Sequence, residues 1–428
     1  MTAYASMSYD ELLAQQRQLQ AQLGEFRAMN LQLNMARGKP GADQLALSLP
    51  MLEELDAQSE LLASDGTDCR NYGGLLGIPE ARQLMAEMMG TTAEHVIVCG
   101  SSSLNIMFQE VSRAWGLGLG GCEPWCKQEG VTFLCPAPGY DRHFKICEHF
   151  GIQMVPIEMH EDGPDMAHVK ELVEGDAHVK GIWCVPQYAN PLGCTYSDAT
   201  VAAFAALQPA APDFRIFWDN AYVVHHLYDR PEQQAHVADI LAACEAAGRP
   251  DMVFEFASTS KVTFPGAGIA AIAASPANVA EISAAMGIST IGYDKLNMLR
   301  HVRFLKDGEG IAAHMSKQAA LIRPKFEAVL AILEEDLGGL GIASWTRPQG
   351  GYFISFAGPH GTAKRTVELA ASAGVKLTGA GATWPYGRDP HDSDIRIAPT
   401  LPPISELQQA MRVFTVCVRL ATVEQLLA

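Results

Sequence analysis

The chain has 428 residues, with 48 acidic against 31 basic side chains and a formal net charge of −17. At 48% hydrophobic and 18% charged it reads as globular and not disordered, and its length suits roughly two or three domains, or one large α/β domain with an appendage. There is no Lys/Arg cluster to neutralise a phosphate backbone, which excludes nucleic acid as a partner; a small anion stays possible, because an acidic protein can still hold a locally positive pocket.

The start is polar and acidic (Tyr9-Asp10-Glu11) where a signal peptide needs an apolar core. The longest uncharged run, residues 262–280, is Ala/Gly-rich, interrupted by Pro265 and Pro276, and a poor membrane span. A cytoplasmic protein with no membrane partner is expected. Among the ten cysteines only Cys122 and Cys126 lie close, with no second ligand pair, so no metal is read there. The others fit buried thiols in a reducing compartment.

Ser8-x-x-Glu11 reads as a capping box opening a helix along Leu12, Leu13, Leu19, Leu23 and Phe26, which ends before Gly38 and Pro40. Residues 36–40 look strand-like. From about residue 80, strands at 95–99, 131–135, 152–157, 181–185, 214–218 and 252–257 alternate with helical runs such as 80–89 and 198–207. Short apolar runs without polar alternation predict strands buried on both faces of a parallel sheet. Near residue 310 the texture changes. A helix over 310–335 leads to a strand-like 350–356, a helix through Leu369 and Ala370, and a last helix from Ile404. The predicted division is an N-terminal arm over 1–50, a large α/β domain over 51–315 and a small α+β domain over 316–428. No P-loop and no G-x-G-x-x-G follows a strand.

Ligands of open α/β sheets bind beyond the carboxyl ends of the strands. The first predicted strand leads into Gly100-Ser101-Ser102-Ser103, which suits either a helix cap or an anion site. Others lead to Pro138-Gly139-Tyr140, a turn presenting an aromatic ring, and to Asn190-Pro191. Asp219-Asn220-Ala221-Tyr222 puts a carboxylate at the end of a buried strand, where it needs a cationic partner. Ser258-Thr259-Ser260-Lys261 puts a lysine at the next strand end, suited either to a solvated loop or to a nucleophile of lowered pKa. An anion cradle, an aromatic plate, an amide, a carboxylate and a lysine together are what a pyridoxal phosphate site requires.

With Ala36-Arg37-Gly38-Lys39-Pro40, Arg70-Asn71-Tyr72-Gly73 and Asp394-Ile395-Arg396-Ile397, these segments resemble the fold-type I pyridoxal-phosphate aminotransferases, and within them the bacterial aspartate aminotransferase subgroup Ic. The resemblance runs from about residue 30 to the end. It implies a fold-type I α/β transferase with a large, mostly parallel sheet, and a homodimer with shared active sites that uses pyridoxal 5'-phosphate. The substrates implied are an amino acid, aspartate first, and 2-oxoglutarate, in ping-pong order. It further implies that Lys261 carries the cofactor covalently and moves the proton, and that Asp219 keeps the pyridine nitrogen protonated. Asn190 and Tyr222 would bond the phenolic oxygen, Tyr140 would stack on the ring, and Ser101, Ser102, Ser258 and Ser260 would contact the phosphate. Tyr72 would reach the phosphate in the neighbouring subunit. Arg396 would bind the substrate α-carboxylate, aided by the backbone at Gly38; its plainer reading is an ion pair with an acid such as Asp394.

The arginine that follows the lysine in most relatives is missing from residues 262–269, and Lys39 or Lys295 is the candidate replacement. Arg37, Lys39, Lys295 and Arg300 are candidates for a second substrate carboxylate. His225 and His226 suit packing or tuning of the site. The alternative reading on the same residues is a C–S lyase or decarboxylase, which would form product without an added 2-oxo acid. A ligand-sensing regulator would need a DNA-binding domain that the segment before Gly38 is too short and too little basic to form.

Overall fold

The structure, a computed structural model, describes residues 4–428. Its main sheet runs in the spatial order Val96–Val98, Ala270–Ala274, Val253–Ser258, Arg215–Asp219, Val179–Cys184, Thr132–Ala137, Gln153–His160 and Gly163–Pro164. Ala270–Ala274 and Gly163–Pro164 are antiparallel to their neighbours; the other strands share one direction. The fold is α/β with a large, mixed and mostly parallel central sheet. The six predicted strands are present to within a few residues, and the central ones are buried along their whole length, as their unbroken apolar runs require.

Ala270–Ala274 falls inside the Ala/Gly-rich run that suggested no strand. Alanine has little intrinsic strand preference; here its small side chains pair on both sides, with Val96–Val98 and with Val253–Ser258. The N-terminal capping box is present, but the helix ends at Ala28. Residues 36–40 are irregular, not strand. Strand pairing stops after Leu33–Asn34, and beyond it Gly38 lies against Phe353: a Cβ there would sit 2.5 Å from the ring.

Two cores flank the main sheet, and a third gathers the N-terminal helix Tyr9–Ala28, the C-terminal helix Ile404–Leu426 and the small antiparallel sheet Ser344–Trp345, Ile354–Ala357 and Asp394–Ile397. The helix Gly308–Leu337 joins them: Ile311 and Met315 pack under the main sheet, while Ile322, Phe326, Val329 and Leu333 pack in the third core. Among the described residues no helix is long and apolar enough to cross a membrane.

Glu255 lies inside the main sheet at 3% exposure, and Asn220 Nδ2 donates to its Oε1 at 2.9 Å. Burial pushes its pKa up to about 8, against the pull of that hydrogen bond. Between the ordinary value of 4.5 and about 8 the folded chain therefore holds a proton that the unfolded chain has released. The stability this brings is fully present below the lower value and is lost as the pH rises through the upper one. Urea midpoints from about pH 5 to pH 9 are expected to fall, by a few kcal/mol in stability at about 1.4 kcal/mol per pKa unit, and Glu255→Gln should flatten the slope. An unchanged slope in the variant would contradict this.

Candidate active site

The strand ends meet at a cavity of about 140 Å³, walled by Ser102, Ser103, Tyr140, Asn190, Asp219, Tyr222, Ser258, Ser260 and Lys261 among others. Each comes from a segment at the carboxyl edge of the sheet. Lys261 ends a short 3-10 turn that continues Val253–Ser258, and Asp219 is the last residue of its strand. Asn190 is buried and precedes a cis Asn190-Pro191 bond.

Lys261 Nζ lies 4.7 Å from the centre of the Tyr222 ring. Burial lowers the lysine pKa, and the Asp219 carboxylate opposes that shift. The same burial raises the Tyr222 phenol well above its ordinary range and Tyr140 to about 12. Both phenols are therefore protonated donors at neutral pH. Asp219 is 2% exposed. Its Oδ2 is 3.0 Å from His143 Nε2, and its Oδ1 is buried with no partner. His143 in turn stacks on Trp183, with ring centroids 4.5 Å apart.

At the other end of the cavity, Ser102 precedes the helix Ser103–Leu117, and its side chain caps no backbone N–H. Of the two sequence readings, the structure leaves that hydroxyl to the cavity. Ser258 Oγ donates to Ser260 Oγ at 3.0 Å, and Ser260 Oγ to the Ser101 carbonyl at 3.4 Å. Ser101 itself is exposed, and its side chain is not on the cavity wall. Hydroxyls at a helix N-terminus form an anion cradle.

Arg396 projects from Asp394–Ile397 and is 7% exposed. Its Nη1 donates to Asn190 Oδ1 at 3.2 Å and to Asp141 Oδ1 at 3.0 Å, and its guanidinium lies 4.8 Å from the Phe353 ring centre. Asp394, the acid offered for the plainer ion-pair reading, instead accepts from Trp384 Nε1. Gly38 reaches this group through the same Phe353 ring.

Tyr72 stands outside the cavity at 81% exposure. None of the proposed extra cations lines the wall. Arg37 and Lys39 are exposed, Lys295 Nζ donates to the Gly73 carbonyl at 2.8 Å, and Arg300 Nη2 donates to Asn297. His225 is buried between Tyr222 and Tyr352, its pKa lowered to about 3 by burial. The residue that sequence reasoning missed is His143: its signal is one histidine three residues after Tyr140, while its partner lies 76 residues further on.

The model of the family described as aspartate amino-transferase matches residues 7–428. An aspartate aminotransferase of Corynebacterium glutamicum is 46% identical over 402 residues, covering 94% of this chain and 92% of that protein. The crystal structure of an aspartate transaminase from the same species superposes with a TM-score of 0.95 at 44% identity, over 98% of each chain. A Thermus thermophilus α-aminoadipate aminotransferase complexed with N-(5'-phosphopyridoxyl)-L-leucine shares the fold, with a TM-score of 0.73 at 19% identity, over 92% of this chain and 93% of that one.

Pyridoxal phosphate is the cofactor this family implies, and the cavity fits it. The buried, partnerless Asp219 Oδ1 calls for a cationic N–H. The lysine has a lowered pKa, and the hydroxyls at the helix start suit a phosphate. The chain belongs to the aspartate amino-transferase family and is a pyridoxal-phosphate-dependent aminotransferase.

Proposed function

We propose that the protein moves the amino group of aspartate to 2-oxoglutarate in two half-reactions of ping-pong order. The aspartate assignment is supported by the name of the 46% identical relative. The observation that carries the site assignment is the placement of Lys261 and the partnerless Asp219 Oδ1 on one small cavity.

Bound there, pyridoxal phosphate supplies a carbonyl carbon for the substrate amine and a ring that accepts the electrons freed at the substrate Cα. Lys261 is the residue that would bond to it. The Lys261 amine, its pKa lowered by burial, would be the group that takes the Cα proton. Asp219 Oδ1 would hold a proton on the ring nitrogen, while His143 fixes the other carboxylate oxygen. Tyr140 would cover the ring. Asn190 and the Tyr222 hydroxyl would donate to its phenolic oxygen. Ser102, Ser258 and Ser260 would hold the phosphate, and Ser101, off the cavity wall, would act on it through Ser260, whose hydroxyl donates to its carbonyl. Arg396 receives the substrate α-carboxylate, with Gly38 close behind Phe353.

The reading includes a homodimer in which Tyr72 enters the neighbouring site. Tyr72, Leu117, Ile288 and Ile291 are large apolar side chains at 81%, 66%, 87% and 62% exposure, which a second copy would cover. Sedimentation should give twice the chain mass; a monomer at working concentration would contradict the shared site.

Two tests fall on the wall of the cavity. Steady-state rates over a panel of amino donors with 2-oxoglutarate should be highest for aspartate, with parallel double-reciprocal lines; intersecting lines would contradict the ping-pong order. His143→Ala should leave Asp219 Oδ2 buried and unpaired. A loss of roughly 1–3 kcal/mol, or about tenfold to a hundredfold weaker cofactor affinity, is expected from fluorescence titration of the cofactor-free protein. Unchanged affinity would contradict the His143 role.

A further inference from the structure

Asp141 is the first residue of the helix Asp141–Phe150, directly after Tyr140. Its Oδ1 accepts from Arg396 Nη1 at 3.0 Å. The two partners differ in burial: the arginine side chain is 7% exposed and the aspartate side chain 30%. Neutral groups hold the arginine as well. Asn190 Oδ1 shares Nη1, and the Phe353 ring lies under the guanidinium. The Nε atom is buried without a partner. The guanidinium is thus oriented independently of the acid, and it still has hydrogen-bonding capacity to give.

A guanidinium this deeply buried is costly without a counter-charge. Two carboxylates on one guanidinium repel each other. Asp141 also has somewhere else to go. Its side chain already reaches solvent, and Tyr140, the N-cap residue, makes no side-chain cap on the helix that Asp141 begins, so a displaced carboxylate stays at a helix N-terminus that favours it.

We propose that Asp141 is a resident carboxylate: it neutralises Arg396 in the free enzyme and yields the guanidinium to the carboxylate of the incoming amino acid. Substrate binding is then an exchange of one carboxylate for another. The exchange sets the affinity for carboxylates and leaves the later proton transfer at Lys261 alone. Simple carboxylates, which offer nothing in return for the displacement, bind poorly. The proposal rests on the reading of Arg396 as the substrate-carboxylate site.

The test is calorimetric titration of the holoenzyme with propanoate, a carboxylate without an amino group. Asp141→Asn keeps an oxygen for Arg396 Nη1 and removes the charge. It should bind propanoate on the order of tenfold more tightly, and more so at low salt. The KM for the amino donor should fall while kcat stays within about twofold. Asp141→Ser, which removes the acid differently, must move affinity the same way and decides the matter if the first variant does not fold. Propanoate affinity that is unchanged or weaker in the folded Asp141 variants, with Arg396→Gln weakening it, overturns the exchange and leaves the Arg396 reading intact. Unchanged affinity in Arg396→Gln removes that reading and the exchange with it.

Discussion

Lys261→Ala is expected to abolish covalent retention of pyridoxal phosphate and to slow amino transfer by about 10⁴-fold or more, since it removes both the attachment and the proton carrier. The cavity wall holds no other lysine or arginine among the described residues, so no neighbour can take its place. Burial lowers its pKa, and the Asp219 charge opposes that shift. Absorption spectra of the variant after gel filtration, and its turnover with excess cofactor, check both halves. Near-normal turnover would contradict the assignment.

Asp219→Ala is expected to weaken cofactor binding and to slow transfer on the order of 10²-fold or more, because a carboxylate within hydrogen-bond reach typically raises a cation's pKa by about one to three units. Asp219→Asn separates charge from shape. It can still meet His143 Nε2, yet it cannot hold a proton on the ring nitrogen. The two variants should therefore be similarly slow, while Asp219→Asn keeps more of the cofactor affinity. Full activity in Asp219→Asn would contradict a role for the charge.

The placement of the candidate residues was legible in the sequence wherever they stood at the end of a buried strand. Asp219 and Lys261 stand at the ends of uniform apolar runs that read as interior strands, and a charge buried there is costly unless it is paired. Contacts that close over long sequence distances left no such mark. His143 looks like one helix residue among others until the fold brings it to Asp219. The plainer reading of Arg396 paired it with a nearby acid such as Asp394, whereas the acid it meets is Asp141, 255 residues away. The strand Ala270–Ala274 escaped notice because alanine carries almost no strand signal, and its pairing is decided by two neighbours. Residues 36–40 misled in the opposite sense: their texture suggests a strand, but Gly38 serves the ring of Phe353 instead.

The most direct measurement is borohydride reduction of the protein after incubation with pyridoxal 5'-phosphate, followed by digestion and mass spectrometry. One phosphopyridoxyl group on the peptide containing Lys261 is expected. Unmodified protein, or a stable adduct on another lysine with Lys261 unmodified, would contradict the assignment of this cavity as the catalytic centre.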